Sequence, residues 1–198
     1  RHNHDMASTP RTARERARAE ITQEILETAR RHLARDGAAA LSLRAVARDC
    51  GMVSSAIYRY FPSRETVQAA FVDRSADRLA HEVAAADRGG DAGDRLIAAV
   101  TVALRLVRGN PAFANWFRPD GVATAAQLAV VSPAIESLAR SFVAGLRGAG
   151  STGTGAGSDA ERARWLVRVM LSLLTTPGTD PDDEAQMLRT FVVPVMVS

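Results

Sequence analysis

Residues 41–64 read Leu-Ser-Leu-Arg-Ala-Val-Ala-Arg-Asp-Cys-Gly-Met-Val-Ser-Ser-Ala-Ile-Tyr-Arg-Tyr-Phe-Pro-Ser-Arg. They hold the side chains best suited to meeting a polyanion. The pattern predicts two short helices joined by a tight turn at Gly51. Small Ala47 lets the helices cross closely, and Val46, Cys50, Met52, Ile57 and Phe61 can meet in a mini-core. The other face of the second helix presents Ser54, Ser55, Tyr58, Arg59 and Tyr60: hydroxyls and a guanidinium with reach, and no acid. A helix-turn-helix places the start of its second helix at base edges in the major groove. Hydroxyls and backbone amides at that end suit phosphate or base contacts.

Other chemistry finds less support. His2 and His4 precede Met6 in a stretch that reads as the remnant of an expression tag, while His32 and His81 lack a second ligand at metal spacing. No metal site is expected. Cys50 reads as a small buried hydrophobe rather than a redox sensor. The Gly-rich run 148–157 lacks the Lys and the preceding strand of a phosphate loop. No Ser, His and Asp grouping stands out, so neither an enzyme nor a cofactor is expected.

The elements that must position residues 41–64 are helical throughout. Ile21, Ile25, Ala29 and Leu33 recur every four residues and predict a first helix over 13–36, stopped by Gly37. Ser42 caps a helix over 43–50, and Val53-Ser54 begins one over 54–60. Pro62 ends that helix, and Ser63 caps a long fourth one, 64–86, whose stripe is Val67, Phe71, Leu79 and Val83. Residues 88–94 are a turn-rich break. Beyond it, Asn110-Pro111, Ser132-Pro133 and Asp180-Pro181 are helix starts, and Ser158 with Glu161 has capping-box spacing. Pro194 interrupts the last helix. About nine helices, no strand and no repeat are expected.

All 25 basic residues are Arg, against 22 acids. Residues 1–64 hold 12 Arg and 7 acids, and residues 65–198 hold 13 Arg and 15 acids. A basic N-terminal third on a mildly acidic remainder suggests that one end meets a polyanion. The longest uncharged run, Gly121 to Ile135, is short of the roughly 20 apolar residues of a spanning helix. No membrane partner and no apolar signal segment are expected. A single cysteine fits a reducing compartment.

Three pieces, Leu43-Arg44-Ala45-Val46-Ala47, Cys50-Gly51-Met52 and Ile57-Tyr58-Arg59-Tyr60-Phe61-Pro62-Ser63-Arg64, closely resemble the N-terminal domain of the TetR family of bacterial transcriptional regulators. The resemblance covers about Ile21 to Phe71; Met52-Val53 is unusual, since members often have a smaller or more polar residue there. It implies that Arg44 reaches a base or phosphate, and that Ser54, Ser55 and Tyr58 form the groove-facing start of the recognition helix. It also puts Tyr60, Arg64, Arg59 and Ser42 near phosphates. Arg11, Arg14 and Arg16 would form a basic arm ahead of the first helix, reaching along the backbone or into a minor groove.

The implied plan is all-α. A tag remnant or arm (1–10) precedes a three-helix DNA-binding domain (11–64). A larger ligand-binding and dimerisation domain follows (65–198), with helix 64–86 as connector. Leu104, Phe113, Trp116, Phe117, Phe142 and Met170 are candidates for an apolar ligand pocket, or else ordinary core; Arg105 and Arg118 could meet an acidic group. In TetR-like proteins the last two helices pair with their copies. Here that gives Trp165, Leu166, Val169 and Leu173 with Met187, Phe191 and Val195.

The expected function is a cytoplasmic, ligand-responsive homodimer, nucleoid-associated when DNA-bound, that represses from a double-stranded inverted-repeat operator and is released by a small apolar or amphipathic effector. The alternatives are a non-specific DNA-organising helical protein and a regulator controlled by a protein partner.

Overall fold

The structure is a computed structural model and describes residues 12–87, 89–114, 116–117, 132–147 and 158–197. Helix α1 (Ala13–Asp36) starts with a capping box. Thr12 Oγ1 accepts from Glu15 N, and Glu15 Oε2 accepts from Thr12 N at 2.8 Å. Two of the four orphan amides are thus satisfied. This start places Arg14 and Arg16 within the first turn of α1, not in an arm ahead of it. Arg11 lies outside the described residues. Gly37, at φ 80, ends the helix in a conformation open to glycine without strain.

Helix α2 (Leu43–Asp49) is capped by the Ser42 hydroxyl, and Gly51 turns the chain at φ 66. Helix α3 (Ser54–Ile57) is one turn long, not two. Val53 offers no side-chain cap, and Tyr58 to Tyr60 continue as a tight turn while Phe61 swings into the core. Helix α4 (Arg64–Ala86) has the expected bounds, with Ser63 and Thr66 bonding reciprocally at its start.

Helix α5 (Ala92–Arg108) begins inside the expected break, since Asp91 accepts from Asp94 N at 2.8 Å and caps it. Then follow α6 (Pro111–Ala114), α7 (Pro133–Arg147, capped by Ser132) and α8 (Asp159–Thr175, with the Ser158–Glu161 capping box). The last helix, α9, runs unbroken over residues 181–197 because a π-helical turn, Leu188–Val192, precedes Pro194. A proline ring presses on the carbonyl four residues back. The wider turn, with Val193 N–H reaching Leu188 O, accommodates it. The described residues therefore form nine helices and no strand.

Two apolar cores organise these helices. The first joins α1, α2 and α3 through Ile25, Leu33, Val46 and Ile57, all fully buried, and continues into α4 through Val67, Phe71 and Val72. It also takes in Ala112, Phe113 and Trp116. The core of the DNA-side domain thus does not stop at residue 64; α6 packs on α1 and closes it. The second core joins α5, α7, α8 and α9. Helix α4, about 34 Å long at 1.5 Å per residue, bridges the two, and Ser132 Oγ donates to Asp73 Oδ1 at 2.7 Å to tie it to the start of α7.

Candidate DNA-binding face and effector cavity

The helix-turn-helix is fixed on α1 from two sides. His32, buried in α1, contacts Asp49 Oδ2 at the end of α2 through Nε2 at 2.9 Å, while Arg35 Nη2 lies 3.1 Å from Nδ1. The hydrogen bond from His32 holds the Asp49 carboxyl below the usual carboxylate range. Arg18, also in α1, reaches the other end of the motif. Its Nη2 donates to Arg59 O at 3.3 Å, and its guanidinium carbon lies 5.2 Å from the centre of the Tyr60 ring. Arg18 thereby clamps the turn that follows α3. Neither contact is visible in a linear pattern, since the partners lie 17 and 41 residues apart.

With the motif so held, Arg44, Ser54, Ser55, Tyr58 and Arg59 are exposed together. Ser42 is exposed, but its hydroxyl oxygen accepts from Ala45 N as the cap of α2. Tyr60 is half-buried under Arg18. Arg64 is engaged within the chain: Nε donates to Glu65 Oε1 at 2.8 Å and Nη1 to Ala39 O at 3.0 Å. Hydrogen bonds from Arg64 and then Ser63 pull the Glu65 carboxyl down to about 2. Arg64 therefore pins the α1–α2 loop to α4. Arg14 is exposed on α1. Val53, beside the two serines, is 72% exposed.

Between the two cores lies a cavity of about 820 Å³. Phe113, Trp116, Phe117, Phe142 and Met170 line it, whereas Leu104 does not. Leu104 faces the second core and is 2% exposed, about 100° round the helix from Ala103, which does line the cavity. Phe71 completes the wall; read from sequence, it is only part of a helix stripe. Its ring centre lies 4.9 Å from that of Phe113, and Phe113 meets Trp116 edge-on at 5.3 Å. Such tilted pairs hold aromatic walls in place. Arg105 is on the lining; Arg118 and the Gly-rich run 148–157 lie outside the described residues.

On the outer side of α8 and α9, Trp165, Met187, Phe191 and Val195 are exposed, Phe191 to 70%. Val169 is half-buried. Leu166 and Leu173, expected on the same face, are instead buried in the chain's own second core. Two ion pairs brace this region. Arg108 of α5 forks onto Glu184 of α9 at 2.6 and 3.0 Å and donates to Leu173 O at 2.9 Å. Arg162 Nε donates to Val195 O at 3.1 Å, near the end of α9, and Nη1 lies 3.9 Å from Asp159.

Among the described residues no group of His, Cys, Asp or Glu could hold a metal ion, and no helix is long and apolar enough to cross a membrane. A helix-turn-helix with an exposed polar recognition turn, joined through one long helix to a cavity-bearing helical bundle, defines a DNA-binding regulator.

Comparison with known proteins agrees. Residues 25–70 match the family described as bacterial regulatory proteins, tetR family. A relative from Mycobacterium tuberculosis, an uncharacterised HTH-type transcriptional regulator, is 36% identical over 174 residues, which cover 87% of this chain and 83% of its own. An HTH-type transcriptional regulator of Mycobacterium bovis is 54% identical over 61 residues, covering 30% of this chain and 26% of its own. The TetR family repressor AlkX from Dietzia superposes with a TM-score of 0.63 at 17% identity over 88% of this chain and 94% of that one. The regulator FadR from Bacillus subtilis, solved with stearoyl-CoA, superposes with a TM-score of 0.58 at 14% identity over 89% and 97%. The chain belongs to the TetR family and is a DNA-binding transcriptional regulator.

Proposed function

We propose that this regulator is a homodimeric repressor that occupies an inverted-repeat operator and is released when a small molecule fills the cavity. What carries the reading is the shared aromatic wall: Phe71, Phe113 and Trp116 line the cavity and are at the same time core residues of the helix-turn-helix domain. A ligand pressing on them acts directly on the packing of α1 and α4. Helix α4, the connector, is one lever; α6, packed on α1, is a second. A coupling free energy of about 1–3 kcal/mol between the sites suffices for a switch.

The exposed recognition residues supply base and phosphate contacts from each subunit, and two-fold symmetry maps them onto two half-sites. The exposed apolar face of Trp165, Met187, Phe191 and Val195 supports the dimer. The open cavity weighs against a regulator that answers only to a protein partner. A DNA target and an effector that must reach it place the protein in the cytoplasm.

Selection of bound fragments from a random DNA pool, followed by a salt titration on the winner, tests the reading. An inverted repeat bound by a dimer about 1,000-fold more tightly than random DNA is expected. A featureless pool with steep salt dependence would instead mean a non-specific DNA-organising protein.

A further inference from the structure

We infer that the cavity takes an anionic amphiphile, a long apolar body ending in a carboxylate or phosphate that Arg74 and Arg78 of α4 receive at the rim. Its role as an effector rests on the regulator reading above; its binding does not.

The charges on the lining are one-sided. Glu27 is the only acid among the described lining residues, and Arg30, Arg74, Arg78 and Arg105 are the bases. Glu27 is already committed, since Arg30 Nη2 and Nε donate to its carboxylate at 2.7 and 3.1 Å. Arg74, Arg78 and Arg105 form no ion pair among the described residues, although Arg74 attracts the Glu27 carboxylate through space. Arg74 and Arg78 are four residues apart on one side of α4, with an axial separation of about 6 Å. One anionic group can lie between them. A cationic ligand would meet four guanidiniums and one carboxylate among the described lining residues and is selected against.

The interior asks for a different chemistry. Phe113, Phe142 and Met170 offer only apolar surface, and a volume of about 820 Å³ lies within the range of small-molecule sites. Trp116, itself 2% exposed, adds its ring to this surface. Phe71, which stacks on this cluster, sits one turn before Arg74 on α4, so a single molecule can touch the aromatic wall and the rim.

The test is calorimetric titration of the full chain, without DNA, using four probes with the same chain: dodecanoate, monododecyl phosphate, dodecan-1-ol and dodecylammonium. At least one anion is expected to bind tenfold or more tightly than the alcohol, and the ammonium most weakly. The preferred anion identifies the head group as carboxylate or phosphate. The double variant Arg74→Ala/Arg78→Ala, both positions exposed, should weaken the anion about tenfold and leave the alcohol unchanged, as expected for two partly exposed ion pairs. Equal affinity for alcohol and anions, an unchanged anion affinity in the double variant, or no binding of any probe would overturn the inference. Release of the operator is measured separately. An anion that binds with this selectivity but leaves the operator bound upholds the ligand class and removes the effector reading.

Discussion

Replacing Arg18 with Met tests whether the recognition turn is held from behind. Methionine keeps the apolar stem and removes the guanidinium. The lost contacts are the 3.3 Å hydrogen bond to Arg59 O and the stacking on Tyr60 at 5.2 Å. Hydrogen bonds from charged groups contribute about 1.5–3 kcal/mol. This one is long and exposed, so solvent screening reduces it to below about 1 kcal/mol. An exposed cation–π contact adds about 0.5–1 kcal/mol. Together they make about 1–1.5 kcal/mol. If all of this serves to orient the turn, affinity falls about five- to tenfold per half-site, or about 30- to 150-fold for a dimer on two half-sites.

The assay is fluorescence anisotropy with the selected operator and with random DNA, each over a range of salt. A positioning role predicts a loss confined to the operator and an unchanged slope of log affinity against log salt. The alternative is that Arg18 touches a phosphate itself. Then affinity would fall equally on both DNAs, and the slope would drop by about 1 per subunit. That result, or no change in affinity at all, would refute the clamp.

Further outcomes concern stability, base preference and assembly. Glu184→Gln should destabilise the fold by about 2 kcal/mol, discounted because the Arg108 side chain is 35% exposed, or lower Tm by about 4–8 °C. The Arg108 hydrogen bond, before other causes, lowers the Glu184 pKa. The contribution is therefore full above the usual carboxylate value and fades as pH falls through the folded value. In urea denaturation the gap between the two proteins should narrow once pH falls below the usual carboxylate value and close below the lowered folded value; a pH-independent gap would exclude the ion pair as its source. Val53, exposed beside the serines, is placed to meet a thymine methyl. Uracil for thymine at one operator position should cost the wild type about fourfold, the value of one buried methyl, and cost Val53→Ser nothing. Equal sensitivity in both proteins would remove Val53 from the interface. Phe191→Asp should yield monomers at micromolar concentration in analytical ultracentrifugation, because two-fold symmetry removes about 1.5–3 kcal/mol twice; an unchanged mass would place the dimer contact elsewhere.

The parts legible in the sequence are those written in local chemistry. Ser63 and the Ser158–Glu161 pair act on amides three residues away, so the starts of α4 and α8 could be read without a fold. The shared exposure of Ser54, Ser55, Tyr58 and Arg59 was legible because they lie within six residues of one another. What failed depended on rotation or distance. Leu104, Leu166 and Leu173 are apolar residues on amphipathic helices, and hydropathy alone does not say which of two apolar neighbourhoods each will face. Their burial follows from where α5 and α8 sit between cavity, core and outer surface. That Arg64 also pins the loop after α1 through the Ala39 carbonyl, 25 residues away, is invisible in the sequence. The roles of Arg18, His32 and Phe71 likewise depend on the crossing of α1 with the motif and of α4 with α6.

The residence of Ala112, Phe113 and Trp116 in the first core bears on how this chain can be cut and recombined. A DNA-binding fragment ending at the close of α4 would expose Phe71 and the face of α1 that α6 had covered, and one ending at residue 64 would lose Phe71 altogether. Such a fragment should be poorly soluble or only partly folded, and a chimera joined there would inherit a foreign lid that does not fit. The workable seam for transplanting this reading head falls after Trp116, and it carries the aromatic wall of the cavity along with it. Under the proposed function, specificity for DNA and part of the specificity for ligand would form a single heritable unit.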